Sequence, residues 1–530
     1  MPMSDRGDGL VLTGLSGAGK TTAGRLIAER LGRPFADTDE LIAKRVGQPA
    51  PAFLAERGEP VFRAVERDAI HDALATPGAI VATGGGALND PLNRWQLWSH
   101  GRVAWLDAPD TQLLQRLARD ETPRPLLASR PAEKLAALRE ERLPFYRAAD
   151  ERIDTHRPPE FVVGALARLV ERPLAPGRRL FDAEEPRHHP IGPMHARIVY
   201  GHGMGSAPID EVLEEIGGSP ALIADRAVSA SPQIVRRFDV QGGESLKQPG
   251  ALLDVLSWLA AAHAERSDPV VGLGGGTVGD LAGLAASLYA RGVPYVALPT
   301  TWLAQADAAI GGKAAVDLPE AKNIVGAFWP AWAVVADTAH LGTLPLDRLR
   351  DGMAESIKAA IIGDPELWHL IVDRGDGALD GTDEPARYAI TERAVRLKLG
   401  IVRRDPWEAG ERRQLNLGHT IGHALETAGG YRLAHGAAVA IGLRAACVLA
   451  AGRGGAQVLA PELDDLLERL GFRLRTAFEP DAVRAALGAD KKRAAGRQRW
   501  LLPMEVGHVV EVDDITDDEL DAALRAIEQD

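Results

Sequence analysis

The 530-residue sequence is short of several things, and each shortage excludes something. It has one cysteine, Cys447, so neither an internal disulfide nor a cysteine-rich metal site can form. It opens MPMSDRGDGL, without a basic flank leading into an apolar run, so no secretory signal is read. Its most apolar stretch, Gly436 to Gly452, is interrupted by Arg444 and is shorter than the ~20 residues of a membrane span. A net charge of −13 argues against general nucleic-acid binding, and neither a nucleic acid nor a membrane is expected as a partner. A cytoplasmic location follows as an expectation. Asparagine is scarce, at Asn89, Asn93, Asn323 and Asn416, and only ten of the 61 basic residues are lysines. Where charge alone was needed, this chain uses arginine, so each lysine is worth locating.

What is present is ordinary globular composition, 45% hydrophobic and 25% charged, with length for about three domains at ~150 residues each. Leu10 to Thr13 reads as a strand, Lys20 to Leu31 as a helix, and further strands end at Thr83 and span Arg102 to Leu106. That alternation predicts a parallel α/β sheet. From Glu171 to Pro193 the chain is rich in proline and charge without periodicity and reads as a linker, with His188 and His189 solvated. Strands then recur at Ala196 to Tyr200, Ala221 to Ala224, Val270 to Leu273 and Tyr295 to Leu298. From about Leu346 helical patterns dominate, apart from short strand-like runs near Trp500 and Val509. The expected architecture is a P-loop three-layer domain over 1–172, a linker over 173–193, a Rossmann-like α/β subdomain over 194–345 and a mainly helical subdomain over 346–530.

Gly14 to Thr21, GLSGAGKT, matches the GxxxxGK[ST] phosphate loop. Gly17 and Gly19 let backbone N–H groups face phosphates, with Lys20 as a point cation and Thr21 and Thr22 beside the nucleotide and its Mg²⁺. Further on stand Asp37-Thr38-Asp39, Arg63 in GEPVFR, Gly84-Gly85-Gly86 after a strand, Arg124 in RPLL and Arg142 in RLPFY. Several arginines around a backbone-lined cleft suit a small carboxylate. In this order, DTD, GEPVFR, ATGGG, RPLL and RLPFY behind the phosphate loop resemble shikimate kinase over about Leu10 to Val170. The resemblance implies that ATP with Mg²⁺ phosphorylates shikimate. Thr21 and Asp37 would stand near Mg²⁺, while Asp39, Arg63, Gly84 to Gly86 and Arg142 would bind shikimate. Asp39 would also orient the accepting hydroxyl, and Arg124 would bridge nucleotide and transferring phosphoryl. Arg116 and Arg119 receive no role.

In the second half GGGTVGD, Gly274 to Asp280, follows a strand and fits a pyrophosphate turn. A dense polar run follows: Thr300-Thr301, Asp307, Lys313 and Lys322-Asn323. Glu355 and Lys358 share one helix face at i, i+3, as His419 and His423 do at i, i+4, and His435 comes shortly after. Histidines with one glutamate and no cysteine suit a catalytic zinc with open positions; spacing leaves open which of them ligate.

The blocks GGGTVGDLAGLAASLYARG, LPTTWLAQADAAIGGKAAVDLPEAKNIVGAF, LRDGMAESIKAAII and LNLGHTIGHALE resemble 3-dehydroquinate synthase from about Arg197 onward. The resemblance implies Glu355, His419 and His435 as ligands of Zn²⁺ or Co²⁺, with His423 close by. NAD⁺ would be held by Asp225, Glu244, Lys247, Gly275, Gly276, Asp280, Thr300, Thr301 and Lys322. The substrate, the phosphorylated seven-carbon sugar acid DAHP, would be gripped by Asp307, Lys313, Asn323, Lys358, Lys398, Arg412, Asn416 and Lys491 or Lys492. Of these, Asp307, Lys313, Lys358 and Arg412, with His423, would be catalytic. Arg291 would reach phosphate, in the neighbouring subunit of a homodimer formed through this half. One departure stands out: Ala437 follows Gly436 where the family usually has Glu, which touches the surroundings of the metal. The whole reads as a bifunctional enzyme of chorismate biosynthesis. Two alternatives remain: a synthase carrying a nucleotide-sensing phosphate-loop module, or a related sugar-phosphate cyclase or metal alcohol dehydrogenase in the second half.

Overall fold

The computed structural model describes residues 7–119, 129–175, 177–190, 192–229, 232–319, 321–493 and 498–529. The chain forms two compact units, Met1–Glu184 with Ile198–Ala207, and Glu185–Arg197 with Pro208–Asp530.

In the first unit five strands, β1 Gly9–Thr13, β2 Phe35–Asp37, β3 Ile80–Ala82, β4 Gly101–Asp107 and β5 Glu151–Asp154, lie in the order β2-β3-β1-β4-β5. All neighbours are parallel, with Leu10 beside both Ile80 and Arg102. Every residue of β1 is buried, as expected of a central parallel strand covered on both faces. Because β1, β2 and β3 are adjacent and parallel, their C-terminal ends deliver the phosphate loop, Asp37 and Gly84 to one edge.

The second sheet runs in the order β6-β7-β14-β11-β10-β8-β9. Its strands are β6 Arg178–His189, β7 Gly192–His202, β8 Ala221–Asp225, β9 Arg236–Val240, β10 Val270–Gly274, β11 Tyr295–Pro299 and β14 Ala333–Asp337. From β9 through β14 the neighbours are parallel, so Asp225, Glu244, Gly275 and Thr300 again gather at one end. A separate antiparallel hairpin, β12 Lys313–Leu318 with β13 Ala321–Phe328, carries the polar run read from the sequence.

The segment read as a linker differs. Most of it is β6, a 12-residue strand, and His189 is only 5% exposed, its ring 4.1 Å from that of Trp329. Charge and Pro186 hid this strand; it lies at the end of the sheet order, where proline is tolerated.

Beyond Leu346 helices pack around one apolar core. The helix His435–Gly452 has the length and apolarity of a membrane span, longer than the sequence reading allowed. It lies in the core, and its Arg444 pairs with Asp464 at 2.9 Å. A second hairpin, β15 Trp500–Glu505 with β16 His508–Val512, closes onto it.

Candidate active sites

In the first unit the turn between β1 and its helix uses Gly17 at φ 83° and Gly19 at φ 87°, conformations that side-chain-bearing residues rarely adopt. Lys20 Nζ donates to the carbonyls of Gly14 (2.9 Å) and Leu15 (3.1 Å), so it lies folded over the loop. Thr21 Oγ1 donates to Asp37 Oδ2 at 2.7 Å, which brings the two expected Mg²⁺ neighbours together. Asp37 Oδ1 also caps the next helix through the N–H groups of Asp39 and Glu40. Thr22 is exposed on the helix.

Asp39, Arg63, Gly84 to Gly86 and Arg142 converge as expected. A Cβ on Gly84 would lie 2.8 Å from Asp39 Oδ1, and one on Gly86 would lie 2.6 Å from Arg63 Nη2. Arg142 Nη1 donates to the Gly85 carbonyl at 2.7 Å. These glycines therefore form a floor that only backbone can supply. Glu66, which the sequence reading missed, pairs with Arg63 at 2.7 Å and is 1% exposed. Burial, outweighing Arg63, raises its pKa. The signal was the i, i+3 spacing of Arg63 and Glu66. Arg116, left without a role, donates to the carbonyls of Gly17 and Thr155, so it braces the phosphate loop. Arg124 lies outside the described residues.

The second unit's site is assembled by close helix approaches at glycine. A Cβ on Gly442 would stand 2.0 Å from the Gly418 carbonyl oxygen, and one on Gly422 would stand 2.9 Å from that of Ala438. These contacts press the helix His419–Ala428 against His435–Gly452. Gly436 sits against Asp351, and Gly352 against Trp302, each with a Cβ position only 2.4 Å from the neighbouring atom. His435 is thereby brought to the helix Leu346–Gly363, and that helix to the segment bearing Asp307.

Glu355, His419 and His435 bring donor atoms within 4.8 Å of one another. Glu355 Oε1 is 3.4 Å from His419 Nε2 and 3.3 Å from His435 Nε2. His419 Nδ1 meets the Leu417 carbonyl at 3.1 Å, which leaves its Nε2 lone pair for a ligand. His435 Nδ1 meets Glu426 Oε1 at 3.2 Å, the carboxylate–histidine arrangement typical of metal ligands. Burial opposes it, yet hydrogen bonds to the Glu355 and Glu426 carboxylates raise His435 to about 10. The donor set thus fits a divalent cation. Glu426, another residue missed in the sequence, supplies a carboxylate beside the expected metal ligands although Ala437 cannot. His423 keeps an exposed edge with its ring 5.0 Å from that of His419; partial desolvation, then His419, pushes its pKa down to about 3.

Beside the ligands runs a chain of alternating charges. Lys358 pairs with Glu355 and lies 4.0 Å from Asp307 Oδ1, which is 2.7 Å from Lys398. Asp307 sits in a π-turn, Ala304–Ala308, a distortion frequent at functional sites. Burial opposes its ionisation, but Lys358 and Lys398 outweigh that and hold its pKa low. Burial lowers Lys398 to about 8, with Asp307 opposing and Lys358 and Arg412 adding to the fall. Arg412 is 2% exposed and donates to the carbonyls of Gly311 (2.9 Å) and Pro406 (2.6 Å). Lys313 pairs with Glu408, which also accepts from Asn416 at 2.9 Å. Glu408 went unnoticed in the sequence, although it bridges two expected substrate groups from a left-handed backbone position, φ 59°.

Residues expected at NAD⁺ also meet. Lys247 pairs with Asp280 at 2.7 Å and donates to Asn323 Oδ1. Thr300 N–H donates to the Gly274 carbonyl at 2.9 Å, and a Cβ on Gly275 would lie 3.0 Å from Thr301. Asp225 accepts from Gly242 N–H at 3.4 Å. A small pocket lies against Gly274, Gly275, Gly276 and Asp280 at the start of the helix Gly276–Leu288. A backbone cradle at a helix N-terminus suits a pyrophosphate. Lys322 pairs with Glu244 at 3.3 Å. Arg291 is exposed at a left-handed turn, φ 62°, and joins none of these contacts. Lys491 and Lys492 stand on the helix Pro480–Arg493, but their side chains lie outside the described residues.

Comparison with known proteins matches residues 16–170 to the shikimate kinase family, 237–351 to 3-dehydroquinate synthase N-terminal and 352–493 to 3-dehydroquinate synthase C-terminal. The chain is 41% identical to a 3-dehydroquinate synthase of Xylella fastidiosa over 309 residues, 56% of this chain and 77% of that protein. It is 39% identical to a 2-epi-valiolone synthase of Actinosynnema mirum over 339 residues, 60% of this chain and 88% of that protein. A solved 2-epi-5-epi-valiolone synthase from Streptomyces hygroscopicus, with NAD⁺ and Zn²⁺ bound, is 30% identical with a TM-score of 0.58, covering 63% of this chain and 97% of that one. The chain belongs to the 3-dehydroquinate synthase family and carries a shikimate kinase domain ahead of the synthase domains.

Proposed function

We propose that the chain is a bifunctional enzyme of the shikimate pathway. Its first unit transfers the terminal phosphoryl of ATP to shikimate. Its second converts DAHP to 3-dehydroquinate and phosphate. The observation that carries this reading is that each unit brings together, from separate elements, the core groups of its own reaction: Thr21, Asp37, Asp39, Arg63 and Arg142 in the first, and Glu355, His419, His435, Asp307, Lys358 and Lys398 in the second.

In the first unit Arg63 and Arg142 bind the shikimate carboxylate, and Asp39 receives the proton of the accepting hydroxyl over the glycine floor. Lys20 neutralises charge on the transferring phosphoryl, with Thr21 and Asp37 placed for Mg²⁺.

In the second, Glu355, His419 and His435 would hold Zn²⁺ or Co²⁺, and the cradle at Gly275 and Gly276 would hold NAD⁺. When bound, the ion supplies a Lewis acid and the nicotinamide a reversible hydride acceptor. Lys313, Lys358 and Lys398 neutralise the substrate's carboxylate and phosphate, and compact ammonium groups crowd where guanidinium groups cannot. His423, exposed beside His419 and His435, is placed to move a proton at the substrate. Arg412, held rigidly by two carbonyls, orients the carboxylate end. The second unit works as a homodimer in which Arg291 reaches the neighbouring copy's phosphate. Its exposed position supports this, as do the solvent-facing Ile324 and Val325 on β13. Light scattering should find twice the chain mass, and a monomer would refute it. A single buried thiol, Cys447, accords with a cytoplasmic setting.

The similarity to valiolone synthases gives a related cyclase as the second reading. One coupled assay on the full chain separates the readings. Shikimate-dependent ADP release together with NAD⁺-dependent phosphate release from DAHP is expected. ADP release without shikimate dependence would favour a sensing module. Phosphate release only from a sugar phosphate lacking the carboxylate would favour the other cyclase.

A further inference from the structure

Tyr431 stands in the turn between the helices His419–Ala428 and His435–Gly452, which bear the histidines. Its backbone is left-handed at φ 59°, directly after Gly430 at the same angle. A bulky residue there is unusual and marks a constraint imposed from elsewhere. Burial does not supply it, since the side chain is 47% exposed. The turn itself is closed by backbone, with the Tyr431 N–H donating to the Glu426 carbonyl at 2.8 Å, so it asks nothing of the ring. What the ring does touch is Lys322, whose ammonium stands 4.2 Å from its centroid, within the range of a cation–π contact. Lys322 comes from the hairpin β12–β13, pairs with Glu244 and neighbours Asn323. The Tyr431 N–H bond to Glu426, whose carboxylate meets His435, places this contact beside the histidine cluster and not on a remote face.

We infer that Tyr431 is a positioning residue that fixes the Lys322 ammonium over the cofactor side of the cleft, tying the histidine-bearing helices to the NAD⁺-binding hairpin. The inference rests on the second unit binding NAD⁺ as proposed above, with Lys322 at the cofactor as the synthase resemblance implies. The ring face is the working part and the hydroxyl is incidental. A strained turn is then kept because an easier residue would leave the lysine free to swing.

The test uses the full chain and two variants. Tyr431→Phe keeps the ring. Tyr431→Asn removes it but tolerates the left-handed backbone. NAD⁺ affinity is measured by titration, with melting temperature and shikimate kinase rate alongside. Phe should match the parent, while Asn should bind NAD⁺ about 2- to 5-fold more weakly, with KM for NAD⁺ raised, kcat kept and melting temperature no lower. A residue serving only the fold would show the opposite, unchanged affinity with altered melting. Equal affinity in Asn and parent overturns the inference, as does an equal loss in Phe. A parent chain that binds no NAD⁺ overturns the underlying reading and this inference with it.

Discussion

Asp307→Asn removes the carboxylate 2.7 Å from the Lys398 ammonium while leaving the lysine in place, because Lys398 also donates to the Asp307 backbone carbonyl at 2.6 Å. Lys398 already lies at about 8, lowered by burial and kept from falling further by Asp307. An opposite charge so close moves a pKa by about 1–3 units, so the variant lysine should titrate at about 5–7. At a pH of about 7.5 the parent lysine is about three-quarters protonated, and one titrating at about 6 is about 3% protonated. If the ammonium is what grips the anionic substrate, affinity at that pH falls about 25-fold. The sign is fixed by the group: raising pH removes the positive charge, so KM for DAHP rises. In the parent KM should be flat below about pH 8 and climb about tenfold per unit above it; in Asp307→Asn the climb should begin about 1–3 units earlier. Steady-state phosphate release across that range measures both. A variant whose KM is higher at every pH but turns upward at the parent's midpoint would refute the charge coupling, leaving Asp307 acting only by touching substrate.

Glu426→Ala should weaken Zn²⁺ or Co²⁺ binding about 10- to 100-fold by freeing His435 Nδ1, and Glu426→Gln should restore most of it. Chelator competition and the visible spectrum of the Co²⁺ form read this without activity, and unchanged affinity in Ala would discount the carboxylate. Gly84→Ala places a Cβ 2.8 Å from Asp39 Oδ1 and 3.3 Å from Glu66 Oε1. It should raise KM for shikimate and leave KM for ATP unchanged; a matched rise in both would mean that the phosphate loop had moved instead.

Much of this was legible because the chemistry is local in sequence. The phosphate loop, the Glu355–Lys358 pair and the two histidines of one helix are each a short word whose spacing decides the geometry. The buried apolar strands β1, β8, β10 and β11 were equally plain. What escaped was set by tertiary neighbours. Glu408 and Glu426 look like solvated charges until Lys313 and His435 are brought to them, and Glu66, though spaced to meet Arg63, is set apart only by its burial. β6 was hidden by its charge and Pro186, because its burial comes from what it packs against. Glycine gave a mixed signal. Gly422 and Gly442 look like helix weaknesses, yet they permit the approach that gathers the histidines.

The interleaved boundary of the two units limits how this gene could ever be divided. The chain enters the second unit at 185, returns to the first for 198–207 and then leaves it again. A single break anywhere in that stretch therefore strips residues from at least one unit. Two self-sufficient chains would each need their own copy of 185–207, so fission requires a duplication as well as a cut. Separating the two activities on two chains therefore calls for that overlap to be kept in both.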